Sequence, residues 1–99
     1  MIVVRNIFQI EPDQMKLAIE LAKQNRELSK KIGYPMARIL TDLVGDFYTL
    51  VFEFESANLG EVEAGMHKIM SNPEWQKLYP QLRKLMRGGR REIFTVVVE

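Results

Sequence analysis

The sequence predicts a single α+β domain whose elements follow in the order strand-helix-strand-strand-helix-strand. With 99 residues, the chain has room for one layer of helices on one sheet. Short runs rich in β-branched and aromatic residues alternate with two longer segments of helical periodicity. Proline and glycine stand at the junctions between these segments, where they favour turns and helix ends.

The first strand and the first helix are predicted from the opening third of the chain. Ile2 to Ile10 is evenly apolar and too short for a surface helix, which favours a strand. Pro12 suits the first position of a helix, because its missing N–H would be unpaired there in any case. The helix is predicted to run to about Ile32, and Gly33 then provides a left-handed stop.

The middle of the chain predicts a β-hairpin. Met36 to Val44 and Phe47 to Glu55 are the two strands, joined by Gly45-Asp46 in a two-residue turn. This turn sets a register in which Arg38 lies opposite Glu53. One face of the hairpin is then almost wholly apolar and is predicted to meet the helices: Ala37, Ile39, Leu43, Tyr48, Leu50, Phe52 and Phe54.

A second helical region follows the hairpin. It begins at Ser56 or Asn58, where a polar side chain can cap the helix. Asn72-Pro73 repeats the combination of a cap with a first-turn proline and restarts the helix. Pro80 is expected to kink or break this second piece.

The last strand is predicted over Glu92 to Val98, after Gly88-Gly89 has ended the helix. The complete order is typical of a ferredoxin-like βαββαβ sandwich with an antiparallel sheet of strand order 4-1-3-2 and both helices on one face. The remaining residues predicted to face the helices are Ile2, Val4, Phe8 and Ile10 on strand one and Phe94, Val96 and Val98 on strand four.

The opposite side of the sheet, here called the open face, is also predicted to be apolar. Its predicted members are Val3, Ile7, Met36, Leu40, Val44, Phe47, Val51, Ile93 and Val97. A patch of this size exceeds what monomeric proteins usually expose. The same face of a second copy would cover it, so the sequence predicts a homodimer in which two sheets enclose a barrel-like interior.

Polar residues are mixed into the open face and form the predicted ligand-binding site: Arg5, Arg38, Asp42, Thr49 and Glu53, with Thr95 nearby. In one interpretation, the arginines orient a carboxylate or phenolate while apolar walls hold the rest of a small molecule. In the other, the charges pair with one another and fix the strand register or the dimer. The opposed pair Arg38–Glu53 agrees with both interpretations. Arg5 has no predicted partner in this register and is expected to bind an anion.

Composition excludes several classes of function. The chain has no cysteine and one histidine, His67, which removes thiol chemistry and a multi-histidine metal site within one chain. Lys and Arg total 14 against 13 Asp and Glu, and this balance argues against a general nucleic-acid or membrane binder. No secretory leader is recognised, so a soluble, cytoplasmic protein is expected. No cofactor is expected.

Other candidate residues favour structural roles. His67 lies on a Lys-flanked helix and is interpreted as a surface residue more readily than as a general base. Trp75 and Tyr79 could form the wall of an aromatic pocket, although their helical spacing favours core packing. A basic cluster near the last helix end is interpreted as favourable interaction with the helix dipole rather than a nucleic-acid contact: Arg83, Lys84, Arg87, Arg90 and Arg91.

Three segments carry a resemblance to a known superfamily: Val3-Val4-Arg5-Asn6-Ile7-Phe8, Glu55-Ser56-Ala57-Asn58-Leu59 and Asn72-Pro73-Glu74-Trp75. With the predicted architecture, they make the chain resemble the dimeric α+β barrel proteins, in particular the NIPSNAP-like and antibiotic-biosynthesis-monooxygenase-like domains. Arg5 matches an arginine that NIPSNAP-like sequences often carry on strand one, whereas the tyrosine and acidic residue that precede it there are missing.

The resemblance implies a homodimer with a hydrophobic pocket, in a superfamily that includes cofactor-free oxygenases, haem-degrading enzymes and small isomerases. Asn6 falls near a strand-one asparagine of the haem-degrading relatives. Those relatives also need a histidine about where this chain has Tyr79, so haem degradation is not predicted. The expected function is binding of an apolar or aromatic acid with a possible cofactor-free reaction, and the alternative is a non-catalytic assembly domain.

Overall fold

The computed structural model describes residues 1–35 and 37–99, and it confirms the predicted class of fold. The strands of the described residues are β1 (Ile2–Ile10), β2 (Arg38–Thr41), β3 (Thr49–Ser56) and β4 (Met86–Thr95). The α-helices are α1 (Met15–Lys31), α2 (Leu59–Met70) and α3 (Pro73–Arg83). A single 3-10 turn, Pro12–Gln14, leads into α1, so Pro12 does open the first helical segment.

The strands form an antiparallel sheet of order β2-β3-β1-β4, which is the predicted order read from the other edge. Side chains from the helices, among them Ala18, Leu21 and Leu82, pack on Ile10, Leu50 and neighbouring sheet residues. A second group, centred on Val4, Phe54 and Val62, continues this core toward α2. Both groups use the same side of the sheet and leave the open face uncovered within the chain.

The β2–β3 register is the predicted one, but the strands are shorter. Arg38 pairs with Glu53 and Thr41 with Leu50, as expected. The two-residue turn was wrong, because residues 42–48 form a longer loop. Asp42 ends the ladder early by accepting a hydrogen bond from the Thr49 N–H at 2.8 Å. Tyr48 in this loop takes the left-handed conformation, with φ of 62°.

Five residues predicted to lie on the hairpin strands are therefore in this loop: Asp42, Leu43, Val44, Phe47 and Tyr48. Leu43, Val44 and Phe47 are almost fully exposed, with relative accessibilities of 97%, 95% and 81%. The predicted start of the second strand, Met36, lies outside the described residues.

The prediction for the last strand was wrong in its start and in its faces. β4 begins at Met86 and contains Gly88 and Gly89, which were predicted to end the helix. Phe94 pairs with Val3 and so lies on the open face, whereas Ile93 pairs with Val4 and lies on the helix side. Thr95 pairs with Ile2 and also lies on the helix side rather than on the open face.

Gly89 explains why glycine is needed inside this strand. A Cβ added there would come within 2.7 Å of Phe8 Cδ1 and 3.1 Å of the Ile7 carbonyl oxygen. Phe8 is the cross-strand partner of Gly89, so its ring covers a position that no larger residue could share. Gly89 thus allows the Phe8 ring to pack closely on β4, and it does not end a helix.

Asparagine caps begin the last two helices, as predicted. Asn58 Oδ1 accepts a hydrogen bond from the Glu61 N–H, and Asn72 Oδ1 accepts from the Glu74 and Trp75 N–H groups. Pro80 does not end α3, which continues to Arg83. The missing N–H of Pro80 would have bonded the carbonyl of Gln76, which is an exposed residue.

Among the described helices, none has both the length and the apolar character needed to cross a bilayer.

Candidate functional site

The predicted polar residues of the open face fall into two separate groups. In the first group, Glu53 lies between two arginines on neighbouring strands. Arg5 Nε donates to Glu53 Oε2 at 2.7 Å, and Arg38 donates to Glu53 Oε1 from the other side. Arg5, which the sequence left without an anion, therefore has one within the chain. Glu53 is buried between these two arginines, so its charge is compensated on both sides.

This arrangement changes the acid–base properties of its members. Hydrogen bonds from Arg38 and then Arg5 hold the pKa of the Glu53 carboxyl below its usual value. The same hydrogen bond from Arg38 raises the pKa of the Arg38 guanidinium. The pair Arg5–Glu53 is a cross-strand pair of β1 and β3, and Glu92 follows opposite Arg5 on β4. Four charges of alternating sign therefore form one row across the open face: Arg38 on β2, Glu53 on β3, Arg5 on β1 and Glu92 on β4.

Asp42 and Thr49, the other two predicted site residues, form the second group. Thr49 Oγ1 donates to the Asp46 carbonyl oxygen at 2.7 Å and accepts from Gln9 Nε2 at 3.1 Å. Asp42 accepts from the Thr49 backbone. These bonds close the loop between β2 and β3. The Leu40–Val51 pair separates this group from the Arg38–Glu53 pair along the strands.

The helix side of the sheet holds a cavity that the sequence did not predict, here called the inner cavity. Its volume is about 280 Å³, and it lies between the sheet and all three helices. Apolar and aromatic side chains form most of its walls: Phe8, Ala37, Phe52, Phe54, Met66, Ile69, Met70, Trp75, Tyr79 and Leu82. The polar lining comes from Asn6, Asn25, Arg26, Ser29, Tyr34 and Arg91.

A polar corner of the inner cavity is formed by Asn6, Tyr34 and Arg91. Asn6 on β1 and Arg91 on β4 are cross-strand partners, and Arg91 Nε donates to Asn6 Oδ1 at 2.6 Å. Arg91 Nη1 also contacts Met66 Sδ at 3.4 Å. The guanidinium is exposed and is held at two of its three nitrogens by uncharged atoms. In the described residues, no carboxylate lies within 4.0 Å of it.

Tyr34 reaches the polar corner from the segment that follows α1. Its ring packs edge-on against Phe54 with ring centroids 5.5 Å apart, and Met66 packs against the same buried cluster as Tyr34. Burial raises the pKa of the Tyr34 phenol, and the charge of Arg91 opposes this rise. The phenol therefore stays protonated at neutral pH and can donate a hydrogen bond.

Trp75 and Tyr79 form one aromatic wall of the inner cavity. Their rings are stacked with centroids 4.7 Å apart and an interplanar angle of 12°. Both side chains are half-buried, and the Asn72 cap fixes the first turn of α3 just before Trp75. The aromatic-pocket alternative for this pair, less favoured on sequence spacing, agrees with their place in the lining.

The remaining charged candidates lie outside this arrangement. His67 is exposed on α2. Arg87 Nε lies 3.9 Å from Glu11, and Arg90 pairs with Glu92 at 3.1 Å, so part of the basic cluster makes surface ion pairs. Within residues 1–35 and 37–99, no three potential His, Asp or Glu metal ligands come together.

The polar corner was hard to predict from the sequence because its members are far apart along the chain. Asn6 is a candidate only through the resemblance, and Arg91 is predicted in a basic cluster near the last helix end, whereas the structure places Arg91 on β4. Tyr34 stands between Gly33 and Pro35, in a segment for which the sequence predicts only the end of a helix. A signal was present in the alternation of β1, which places Asn6 on the same face as Val4 and Phe8.

Comparisons with known proteins agree with this fold. No protein-family model matches the chain, and no curated protein matches it in sequence. A NIPSNAP family protein from Agrobacterium tumefaciens has a TM-score of 0.89 and 17% identity, over 99% of this chain and 88% of that protein. A NIPSNAP domain protein from Burkholderia xenovorans has a TM-score of 0.85 and 16% identity, over 98% and 95%.

A third solved structure, an antibiotic biosynthesis monooxygenase, has a TM-score of 0.76 and 16% identity over 99% of this chain and all of that one. Identities this low show the fold and leave the activity of this chain to its own residues. The chain thus has the ferredoxin-like α+β fold of NIPSNAP and antibiotic-biosynthesis-monooxygenase-like proteins, as its sequence predicts.

Proposed function

We propose that this protein is a homodimeric small-molecule-binding protein, and that each inner cavity binds an apolar or aromatic acid. The observation that carries the proposal is the polar corner. An apolar cavity ends at an arginine that is held in place by an amide oxygen and a thioether sulfur. Such an arginine is fixed without being neutralised, which suits it to a carboxylate or phenolate of a ligand.

The dimensions and walls of the inner cavity favour a compact aromatic ligand. Its volume of about 280 Å³ lies near the lower end of the range for small-molecule sites, roughly 300–1,000 Å³. The stacked rings of Trp75 and Tyr79 offer a flat apolar surface, and Phe8 and Phe52 add two more rings in edge-to-face contact. A few polar groups in a mostly apolar cavity are typical of sites that orient one end of a ligand.

The open face supports the homodimer. Phe94 and Leu40 are exposed there, and the exposed Val44 and Phe47 lie on the adjoining loop. Apolar groups of this kind in one region favour burial against a partner. The row of charges is also self-complementary, because it alternates in sign across four strands. A two-fold axis parallel to the strands would place each cation of the row opposite an anion of a second copy.

Ligand binding by Arg5, Arg38, Asp42, Thr49 and Glu53 stays a prediction. Their hydrogen bonds favour the other interpretation of the same residues, in which they fix the strand register and the contact between copies. Arg38 retains an exposed side chain, so an anion could reach it from the open face. The Arg91 and Arg38 sites lie on opposite sides of the sheet, and substitutions can therefore separate them.

The direct test is binding of 2-naphthoate by calorimetry to the wild-type protein and to the Arg91→Gln and Arg38→Gln variants. We expect wild-type binding that is weakened at least about tenfold by Arg91→Gln, since a hydrogen bond to a charged group is lost. Arg38→Gln should bind as the wild type does. Weakening by Arg38→Gln alone would assign the acid to the open face, and absence of wild-type binding would contradict the acid-binding proposal.

Native mass spectrometry of the purified protein tests the assembly and reveals any molecule that it retains. The mass of one chain is 11.6 kDa, so a dimer of about 23 kDa is expected. A monomer at micromolar concentration would contradict the role given to the open face, while leaving the inner cavity to be judged by calorimetry.

A further inference from the structure

Gly65 on α2 makes room for the ring of Tyr34. A Cβ added at Gly65 would lie 2.2 Å from Tyr34 Cε2 and 2.6 Å from Cδ2, distances that real Cβ atoms do not tolerate. Glycine in the interior of a helix is less favourable than alanine, because it loses more conformational freedom on folding. An unfavourable glycine at this position and the close fit of the Tyr34 ring against α2 together indicate that the position of this ring is important.

From this contact, and resting on the proposed function, we infer that Tyr34 is the second group that recognises the acid. Its phenolic O–H donates to the same anionic group that Arg91 holds, and Gly65 positions the ring for this contact. Tyr34 is thus a specificity-determining residue of the inner cavity, and Gly65 is a positioning residue that acts through it.

The surroundings of Tyr34 link it to Arg91. Phe54 contacts the Tyr34 ring edge-to-face, and Gly65 leaves room for the ring at Cδ2 and Cε2. Met66, the residue after Gly65, packs in the same cluster as Tyr34 and contacts Arg91 Nη1 through its sulfur. One turn of α2 therefore holds both the phenol and the guanidinium at the same end of the inner cavity.

The donor pattern of this end matches an anionic oxygen pair. Arg91 uses Nε on Asn6 and Nη1 on Met66, and Nη2 has no hydrogen-bond partner among the described residues. The Tyr34 hydroxyl likewise makes no hydrogen bond with any residue in 1–35 or 37–99. Both donors belong to residues that line the inner cavity, and each can engage one oxygen of a carboxylate bound there.

Tyr34→Phe tests the hydroxyl without changing the ring. We expect this variant to bind 2-naphthoate at least about tenfold more weakly than the wild type, as for a lost hydrogen bond to a charged group. Binding of 2-methylnaphthalene, which has the same rings and no acceptor, should be unchanged. Equal affinity of Tyr34→Phe and wild type for 2-naphthoate would overturn the inference.

Gly65→Ala tests the positioning, with Glu63→Ala on the exposed side of the same helix as the matched control. Gly65→Ala should reduce the preference for 2-naphthoate over 2-methylnaphthalene, because the ring must move, while Glu63→Ala should retain it. Equal weakening of both ligands by Gly65→Ala, with no change in their ratio, would show that the glycine acts on packing alone and would overturn its positioning role.

The failure of this inference is distinct from failure of the proposed function. If the wild type binds 2-naphthoate and only Arg91→Gln weakens it, acid binding stands and Tyr34 has no part in it. If the wild type does not bind 2-naphthoate, both the acid-binding proposal and the role of Tyr34 are contradicted.

Discussion

Arg91 Nε donates a 2.6 Å hydrogen bond to Asn6 Oδ1 across the pair of strands β1 and β4. The two residues are direct cross-strand partners, so the strand register itself brings them together. The amide of Asn6 orients the guanidinium and leaves its positive charge intact. An aspartate at the same position would neutralise it. The relationship therefore links the pairing of two strands to the charge available at the inner cavity.

Replacing Asn6 by alanine should weaken acid binding without unfolding the protein. Arg91 would lose one of its two fixed contacts and spend part of its time in other rotamers, so we expect about a fivefold weaker affinity for 2-naphthoate, close to 1 kcal/mol. Gln9→Ala, which removes an amide from the other face of β1, is the matched control and should bind normally. Equal calorimetric affinities for Asn6→Ala and wild type would show that Arg91 needs no such support.

The neighbouring glycines of β4 should respond oppositely to alanine. Gly89→Ala places a methyl group 2.7 Å from the ring of Phe8, and overpacking of this kind costs about 1–3 kcal/mol. Gly88→Ala meets no atom within 4 Å and should be neutral or slightly stabilising, because alanine lowers the entropy of the unfolded chain. Urea denaturation of the two variants measures the difference. Similar unfolding free energies would contradict the close packing of Phe8 on Gly89.

Glu53 should contribute to the acid sensitivity of the fold. Its folded-state pKa is lowered by Arg38 and Arg5, so its contribution is fully present above the unfolded carboxyl pKa, about 4.3. The contribution is lost as the pH falls through the lower folded pKa, since the unfolded chain then binds more protons. Glu53→Gln should flatten the acid side of a stability–pH profile measured by thermal unfolding. Glu63→Gln, on an exposed helical face, should leave that profile unchanged.

A charge placed on the open face should weaken assembly. Leu40→Glu introduces a carboxylate among the apolar side chains of that face, and we expect at least about a tenfold weaker dimer, since burying an unpaired charge is costly. Leu59→Glu is the control, because Leu59 is exposed on α2 and lies away from the open face. Sedimentation across a concentration series measures both variants. A dimer unaffected by Leu40→Glu would place the contact between copies elsewhere.

Local patterns along the chain predicted most of the fold. Proline at Pro12 and Pro73, asparagine caps at Asn58 and Asn72, and the pairing of Arg38 with Glu53 were all read correctly because each depends on residues close in sequence. The face assignment of β4 failed for the opposite reason. No tight turn connects β4 to its partner β1, so a shift of one residue could not be excluded, and such a shift reverses every side chain.

The functional residues were harder to predict than the elements. The Arg38–Glu53 ion pair followed from the hairpin register, whereas the Arg5–Glu53 ion pair and the longer loop before Thr49 did not. The polar corner of the inner cavity combines Asn6, Tyr34 and Arg91 from three distant segments. Their proximity depends on how the helices pack on the sheet. The space that Gly65 leaves for the Tyr34 ring has no signature in the sequence beyond the glycine itself.

The alternation of side chains along β1 has an evolutionary and practical consequence. Asn6 and Phe8 project into the inner cavity, whereas Arg5 and Ile7 project to the open face, only one residue away in each case. Heritable changes at Asn6 and Phe8 can alter the lining of the inner cavity, and changes at Arg5 and Ile7 can alter the open face. A single nine-residue strand thus offers two nearly independent sets of adjustable positions, which an engineer could diversify in separate libraries.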